Sequence, residues 1–193
     1  MTEDQTAAAQ PMTWLDRYLM AYRIRVAVRE LPKNGRLLDI GTHDGTLFRE
    51  TGATGVGIDP ELIDVPAPDG VTMIKGFFPG DLPQQDKLFD AATALAVTEH
   101  IPEEELATWA KSLAGMMAPG GAMVITVPAP TVDKILHLLI ALRLIAGIEA
   151  HQHHGFKPQD LETIFTAPQW RRRKHRRFQL GLNHLYVFER TKD

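Results

Sequence analysis

The sequence has 193 residues, of which 44% are hydrophobic, and it contains no cysteine. A chain of this length can bury one sizeable core, and the lack of cysteine excludes disulfides, thiolate metal sites and a cysteine nucleophile. The formal net charge is only -3, which does not favour a nucleic-acid-binding enzyme. We therefore expect a flexible N-terminal tail over residues 1–12 and a single domain over residues 13–193, located in the cytoplasm, where thiols stay reduced.

Apolar runs alternate along the chain with longer segments of helical periodicity. A first helix is expected over Thr13–Leu31, where Pro32 would stop it. A later helix covers Glu103–Met117 and is closed by Pro119-Gly120-Gly121. The expected strands are 36–40, 56–58, 71–74, 89–95 and 122–127. Strands that are nearly continuously apolar and alternate with helices are typical of a parallel sheet covered on both faces.

The end of the chain has a different pattern. Trp170–Phe178 and Leu182–Glu189 are separated only by a short connection that contains Gly181. Two strand-like segments joined so closely predict an antiparallel hairpin. This hairpin would close one edge of the sheet.

A glycine-punctuated turn follows the first expected strand, in the stretch LLDIGTHDGTLF of residues 37–48. Ligands of parallel sheets bind beyond the carboxyl ends of the strands. Gly41 and Gly45 allow close approach of the backbone, and a helix from about Thr46 would direct free N–H groups at a ligand. Asp59 follows the second strand, where a carboxylate can bind both hydroxyls of a ribose. The spacing predicts an adenosine-bearing cofactor, and the alternative is a plain turn with a helix-capping aspartate.

Four segments in order resemble the class I S-adenosylmethionine-dependent methyltransferases. They are Asp39-Ile-Gly41-Thr-His43-Asp-Gly45, GVGIDP at 55–60, FDAATALAVTEHI at 89–101 and LAGMMAPGGAMVITVP at 113–128. The resemblance implies an α/β fold, a Rossmann-like three-layer sandwich whose seven-stranded sheet is mostly parallel with a C-terminal antiparallel hairpin. The sequence is most similar to the branch that methylates small molecules, including quinone-biosynthesis O-methyltransferases. It implies methyl transfer from S-adenosylmethionine to a small hydrophobic or aromatic acceptor, at oxygen.

The resemblance also implies the residues that bind S-adenosylmethionine. Asp39 and the backbone around Gly41, Thr42 and Gly45 would hold the methionine end. Asp59 would bind the ribose hydroxyls, and Pro60 would lie beside the adenine. Ala96 and Val97 would border the sulfonium.

Two positions depart from the family pattern. His43 replaces the usual middle glycine, so its imidazole would narrow the pocket, hydrogen-bond the cofactor carboxylate or point to solvent. The segment after the third strand lacks the usual acid or amide for the adenine amino group. Phe77 or Phe78 could pack on the adenine face instead, and the alternative is that both belong to the core.

Histidines near the strand ends are the candidate proton acceptors, because an oxygen acceptor must lose a proton. His100 follows the fourth strand, and His154 lies in the segment EAHQHHGFKP. The alternative for each is a capping, packing or surface role. No metal is expected unless His153 or His154 substitutes, because Ala96 replaces the first glutamate of the E-x-x-E-H motif with which some relatives bind a divalent ion, and only Glu99 and His100 of that motif remain.

The apolar segment 132–150 is too short for a membrane-spanning helix. It could cover the acceptor site, contact a membrane surface, mediate a homodimer or simply be core.

The basic run Arg171–Arg177 allows an alternative function, the methylation of RNA or protein. A charged edge strand is the simpler interpretation. A third possibility is a non-catalytic protein that binds the cofactor.

Overall fold

In the computed structural model, which describes residues 14–129 and 157–192, one seven-stranded sheet organises the chain. The strands are β1 Arg36–Ile40, β2 Thr54–Asp59, β3 Val71–Lys75, β4 Phe89–Leu95, β5 Met117–Pro128, β6 Trp170–Phe178 and β7 Asn183–Arg190. The helices of the described residues are α1 Trp14–Val28, α2 Thr46–Thr51, α3 Glu103–Met116 and α4 Leu161–Ile164. Short 3₁₀ helices cover Thr98–His100 and Pro158–Asp160. The expected tail, the apolar segment 132–150 and His154 lie outside the described residues.

The strand order is β3-β2-β1-β4-β5-β7-β6. Strands β1 to β5 pair in parallel, whereas β7 pairs antiparallel with both β5 and β6. The order reverses beside β1, which lies between β2 and β4, and such a switch point opens a crevice at the carboxyl ends of the strands. The predicted fold, a mostly parallel sheet with an antiparallel C-terminal hairpin, is confirmed.

Hydrophobic side chains cover both faces of the sheet. On one face the core is built around Leu106, Trp109 and Leu113 of α3 with Phe165 just after α4. On the other face, separate clusters join α1 to β5 and β7 and join α2 to β1. Burial of four of the five β1 residues explains why this strand reads as a continuous apolar run.

The two largest differences from the predicted boundaries are the end of α1 and the start of β5. Helix α1 ends at Val28 rather than Leu31, and the chain then makes a turn in which Leu31 N donates to Val28 O. Strand β5 begins at Met117, so Pro119-Gly120-Gly121 lies within it rather than closing the helix before it. Met117 pairs with Phe89 of β4, and Gly120 takes a φ of 84°. Pairing with β4 therefore extends the strand through residues that favour a turn.

Contacts between α1 and the final hairpin join distant parts of the sequence. Gln179 Nε2 donates to Leu19 O at 2.9 Å, and the rings of Tyr22 and Phe178 stack with centroids 6.1 Å apart. Just beyond α1, Glu30 accepts from Lys174 Nζ at 2.7 Å. These contacts hold the first described helix against the hairpin.

The basic run forms β6, which is an edge strand as the simpler interpretation expects. Its N-terminal half is paired with carboxylates. Arg171 contacts Glu189 at 2.9 Å, Arg172 contacts Glu162, and Lys174 contacts Glu30. Exposed charges along an edge oppose pairing with another sheet.

Among the described residues, no helix combines the length and apolar character needed to cross a membrane.

The pairing of β1 and β2 depends on a missing side chain. A Cβ at Gly55 would lie 1.9 Å from the carbonyl oxygen of Leu37. We expect Gly55→Ala to lower the free energy of unfolding by more than about 3 kcal/mol, because a backbone atom of the neighbouring strand must move. Urea unfolding followed by circular dichroism measures the loss.

Gly52→Ala is the matched control, because its φ of 66° is also left-handed but nothing lies within 4 Å of the added Cβ. It should lose only the conformational penalty of about 1–2 kcal/mol. Equal losses in the two variants would contradict the steric explanation.

Candidate active site

The turn after β1 lies against the end of β4. Gly41 has a φ of 80°, and a Cβ at this position would lie 2.3 Å from Cγ2 of Val97. Gly41 N donates to Ile58 O of β2 at 2.9 Å. The turn therefore brings the ends of three neighbouring strands together, and only glycine satisfies both the backbone angle and the contact.

Asp59, at the end of β2, holds this turn from the other side. Its Oδ2 accepts from His43 N at 2.8 Å, and its Oδ1 accepts from Glu61 N at 2.7 Å. Ile63 N donates to His43 O at 3.1 Å, so the loop after β2 also binds the turn. Asp59 is 8% exposed. Each carboxylate oxygen keeps a lone pair for a further donor, which fits the predicted ribose hydroxyls.

His43 carries left-handed backbone where the family motif has glycine. Its φ is 53°, and Ala96, at the end of β4, has a φ of 60°. Left-handed backbone is uncommon for residues other than glycine, and such residues cluster at functional sites. The side chain of His43 is exposed, while its amide holds Asp59.

Asp39 of β1 is a buried carboxyl group, with 4% of its surface exposed. Its Oδ1 accepts from the hydroxyl of Thr93 on β4 at 2.6 Å. Burial raises the pKa of Asp39 to about 6, and the Thr93 hydrogen bond opposes this rise. A cationic group bound beside Asp39 would favour the charged carboxylate.

The remaining predicted cofactor residues line the same edge. Thr42 is buried and its side chain packs against Gly57 of β2, while its N–H donates to Ile58 O at 3.5 Å and its carbonyl accepts from Gly45 N at 2.9 Å. Gly45 begins α2 with a φ of 78°, and Pro60 is exposed next to Asp59.

The two phenylalanines that follow β3 lie in different surroundings. Phe78 belongs to the core, where its ring meets Trp109 edge to face at 5.2 Å. Phe77 is 69% exposed and follows the carboxyl end of β3, so its ring is available to a ligand. The core alternative therefore describes Phe78, and adenine packing stays a prediction for Phe77.

Two charged residues that sequence reasoning did not assign to the site, Arg23 and Glu99, influence each other electrostatically. Glu99, in the 3₁₀ helix after β4, is buried, and burial raises its pKa to about 7. Burial also lowers the pKa of Arg23 on α1, while the charge of Glu99 opposes that change. Glu99 Oε2 and Arg23 Nε have no hydrogen-bond partner. The Glu-His pair at 99–100 was visible in the sequence, but Arg23 looked like any polar residue of a helix.

The two histidines predicted as catalytic have different outcomes. His100 is exposed at the end of the 3₁₀ helix, and its amide donates to Val97 O at 3.0 Å. His154 lies outside the described residues. Within residues 14–129 and 157–192 no group of acidic or histidine side chains could hold a metal ion.

A cavity of about 250 Å³ lies at the opposite end of the strands, lined by residues that include Leu31, Arg36 and Glu50. It is remote from the turn, from Asp59 and from Val97, so we do not assign it to the site.

The edge described above fits S-adenosylmethionine. A left-handed turn lies against Val97 with no room for a side chain, and a buried carboxyl lies below it. A second carboxylate at the end of β2 keeps lone pairs for hydroxyl donors. Together with the strand order, these features define the class of Rossmann-like methyltransferases.

The chain belongs to the methyltransferase-domain family, whose sequence model matches residues 13–174. The predictions of a methyltransferase enzyme that uses S-adenosylmethionine are confirmed. No curated protein matches the sequence.

Solved structures of methyltransferases share the fold. CalO1, a methyltransferase of calicheamicin biosynthesis with bound S-adenosylhomocysteine, is 19% identical with a TM-score of 0.62; the match covers 89% of this chain and 54% of CalO1. Magnesium protoporphyrin IX methyltransferase from Synechocystis PCC 6803 is 15% identical with a TM-score of 0.62, over 95% of this chain and 90% of that one. The N-methyltransferase NodS from Bradyrhizobium japonicum WM9 is 14% identical with a TM-score of 0.56, over 92% and 97%. The chain thus spans about half the length of CalO1.

The buried carboxyl of Asp39 makes stability depend on pH. Because its pKa is about 6 in the folded protein and ordinarily 3.8, the folded state binds the proton more tightly than the unfolded state. The contribution of Asp39 to the free energy of unfolding is fully present below pH 4 and is lost as the pH rises through 6. Asp39→Asn, which cannot ionise, should therefore gain stability relative to the wild type between pH 4 and pH 7, on the order of 2–3 kcal/mol.

Urea unfolding of both proteins at pH 4, 5, 6 and 7 measures this difference. Glu99 titrates in the same range but is common to both proteins, so it cancels in the comparison. A stability difference that stays constant across these pH values would contradict the raised pKa of Asp39.

Proposed function

We propose that this enzyme transfers a methyl group from S-adenosylmethionine to an oxygen atom of a small hydrophobic or aromatic acceptor. The observation that carries the proposal is the turn of residues 41–45, held between Asp59 and Val97. It brings a carboxylate that keeps lone pairs for hydroxyl donors and a surface with no side chain together at one strand edge.

Each part of the cofactor has a matching group in this proposal. Asp39 would bind the methionine ammonium, and the guanidinium of Arg23 would bind the methionine carboxylate, since Nε has no partner in the protein. Asp59 would receive the ribose hydroxyls. Pro60 and the exposed ring of Phe77 would lie along the adenine. Ala96 and Val97 would border the sulfonium.

The cofactor supplies an activated methyl group, so the protein must orient the acceptor and remove its proton. His100 and His154 are the proposed proton acceptors from the sequence. His100 follows β4 next to the residues assigned to the sulfonium, which favours this role over a purely capping one.

Exposed aromatic side chains support a hydrophobic or aromatic acceptor. Trp14 and Tyr18 lie on the N-terminal half of α1 and are mostly exposed. The same part of α1 contacts the hairpin connection, because Gln179 Nε2 donates to Leu19 O. Gln179 directly follows Phe178, which lies at the carboxyl edge of the sheet. A ligand entering beside β5 and β7 would therefore meet aromatic surface.

A small-molecule acceptor fits the neighbouring folds, since CalO1 and magnesium protoporphyrin IX methyltransferase are named for small-molecule metabolism. Nitrogen is the competing target, because NodS is an N-methyltransferase. RNA methylation is disfavoured, because Arg171, Arg172 and Lys174 are occupied by carboxylates. The proposal also includes a single domain and a cytoplasmic location. The segment 132–150 would mediate either a homodimer or a peripheral membrane contact.

Calorimetric titration with S-adenosylhomocysteine tests the cofactor assignment. We expect micromolar binding by the wild type and a loss of about 1–3 kcal/mol in Asp59→Ala, the scale of lost charge-assisted hydrogen bonds. Asp69→Ala is the matched control, because Asp69 is an exposed acid just before β3, at the far end of the sheet. Unchanged affinity in Asp59→Ala would refute the ribose assignment.

Formation of S-adenosylhomocysteine with a panel of phenols, quinols, small acids and amines tests the acceptor class. We expect turnover with hydroxylated aromatic compounds and little with aliphatic amines, because the proposed target is oxygen. The salt dependence of acceptor binding is the control for a nucleic acid acceptor, because nucleic acid binding weakens steeply as the salt concentration rises. Turnover restricted to amines would contradict the oxygen assignment.

A further inference from the structure

An exposed apolar surface lies where α1 meets the connection between β6 and β7. Trp14 and Tyr18 on α1 are 67% and 58% exposed, and Leu180 in the connection is fully exposed. The connection is bound to the helix, because Gln179 Nε2 donates to Leu19 O at 2.9 Å. The three side chains therefore lie on neighbouring parts of the molecule, and together they form what we term the tip surface.

A row of aromatic rings leads from the core to the tip surface. The ring of Phe178, which is buried, lies 6.1 Å from that of Tyr22, and the ring of Tyr22 lies 6.4 Å from that of Tyr18. Phe178 and Tyr22 pack in the cluster that joins α1 to β5 and β7. Tyr18 and Trp14 belong to no core cluster of the described residues. The inner rings thus anchor the row, and the outer rings are left in water.

Leu180 is unusual in both its backbone and its side chain. Gln179 and Leu180 take left-handed φ angles of 51° and 57°. Hairpin connections with this backbone favour asparagine and glycine, because a larger side chain is strained there. The leucine side chain is fully exposed and compensates this strain with no packing. The fold alone does not account for a leucine at this position, and such outliers point to a function.

The charge beside the tip surface is positive. Residues 171–174, at the start of β6, form ion pairs with carboxylates. Arg176 and Arg177, at the end of β6, form no ion pair with any residue in the described part of the chain, and Arg177 is exposed. Tryptophan and tyrosine favour the interface between a bilayer and water, and cations are attracted to anionic lipid headgroups. The combination therefore fits a membrane surface that contains anionic lipids.

A second copy of the chain fits the tip surface less well. Each partner of a stable dimer buries about 800 Å². Two aromatic side chains of about 150–250 Å² each, together with one leucine, fall short of that area even when they are fully buried. A bilayer needs no complementary partner surface, so a few apolar side chains beside cations are enough to bind it.

The tip surface lies at the same edge of the sheet as the cofactor site. Strand β6 is antiparallel to β7, which is antiparallel to β5, so β6 ends at the carboxyl edge where β1, β2 and β4 also end. Three strand spacings of about 4.8 Å separate β6 from β4, which is about 14 Å. A membrane that contacts the tip surface would therefore face the carboxyl edge of the sheet.

We propose that the tip surface, with Arg177 beside it, docks this enzyme on a bilayer that contains anionic lipids, and that the acceptor enters from this bilayer. The second part rests on the proposed function, because it requires a hydrophobic acceptor that dissolves in lipid. Leu180 and Trp14 insert among the headgroups, and Arg177 contacts the lipid phosphates. Methyl transfer then takes place beside the membrane surface.

Cosedimentation with vesicles of phosphatidylcholine and phosphatidylglycerol in equal amounts is the first test. The wild type should bind these vesicles more tightly than vesicles of phosphatidylcholine alone. Leu180→Asp and Trp14→Ser should each lower the partition coefficient at least about tenfold, because each removes a large apolar side chain from the lipid. Leu88→Asp is the matched control with the same change of charge, because Leu88 is 49% exposed but precedes β4 at the opposite end of the strands.

The fluorescence of Trp14 reports the contact directly. The chain has three tryptophans, and Trp109 and Trp170 are buried whereas Trp14 is exposed. Addition of the anionic vesicles should shift the emission of the wild type to shorter wavelength, and brominated lipids should quench it. Trp14→Phe should abolish both changes while the protein still binds the vesicles.

Several results would overturn docking through the tip surface. One is a wild type that does not bind the anionic vesicles. Another is unchanged binding in both Leu180→Asp and Trp14→Ser, which would assign membrane contact to a different part of the chain. A third is a dimer in solution that Leu180→Asp converts to a monomer without any vesicle binding by the wild type, because the tip surface would then be a contact between copies.

Turnover separates the docking from the proposed function. Leu180→Asp should slow methylation of a long-chain phenol dissolved in the vesicles but leave methylation of a water-soluble phenol and affinity for S-adenosylhomocysteine unchanged. Equal rates for wild type and Leu180→Asp on the long-chain phenol would overturn entry of the acceptor from the bilayer. A wild type that binds the vesicles but not S-adenosylhomocysteine would overturn the proposed function and leave the docking intact.

Discussion

The close contact between Gly41 and Val97 is the constraint on which the site depends. No Cβ fits between these residues, so the end of β1 and the end of β4 approach more closely than ordinary side chains allow. Asp59 then fixes the other end of the turn through the amide of His43. Three strand ends are thereby held in one place, and they position Asp59 and Val97 around the turn. The buried, apolar parts of the same strands support this arrangement.

This edge of the sheet contains features that lower the stability of the protein on its own. His43 and Ala96 hold left-handed backbone, and Asp39 and Glu99 are buried carboxyl groups whose raised pKa values reflect the difficulty of ionising them. Such features persist because the apolar core overdetermines the fold. A bound cation beside Asp39 would relieve part of the electrostatic penalty. Cofactor binding and folding stability are therefore coupled at the same carboxyl group.

The parts of the molecule that were predictable from the sequence are those encoded locally. Strands β1, β4 and β6 have the expected bounds. The predicted start of strand β5 was wrong, because the pairing of Met117 with Phe89 overrides the turn preference of Pro119-Gly120-Gly121. Asp39 and Asp59 were recognisable from their spacing to glycines. Arg23 was not, because no local pattern in α1 shows that its guanidinium interacts with the buried carboxyl of Glu99.

The contact between α1 and the hairpin affects how the chain can fold during synthesis. Leu19 and Gln179 are bonded across 160 positions, and Glu30 and Lys174 across 144. Strand β5 lacks its outer partner until β7 has left the ribosome, so its open edge stays exposed to other chains until the hairpin is complete. Contacts so distant in sequence also slow folding, because loop-closure entropy is lost before they form. The nascent protein is therefore most vulnerable to aggregation just before its last hairpin emerges.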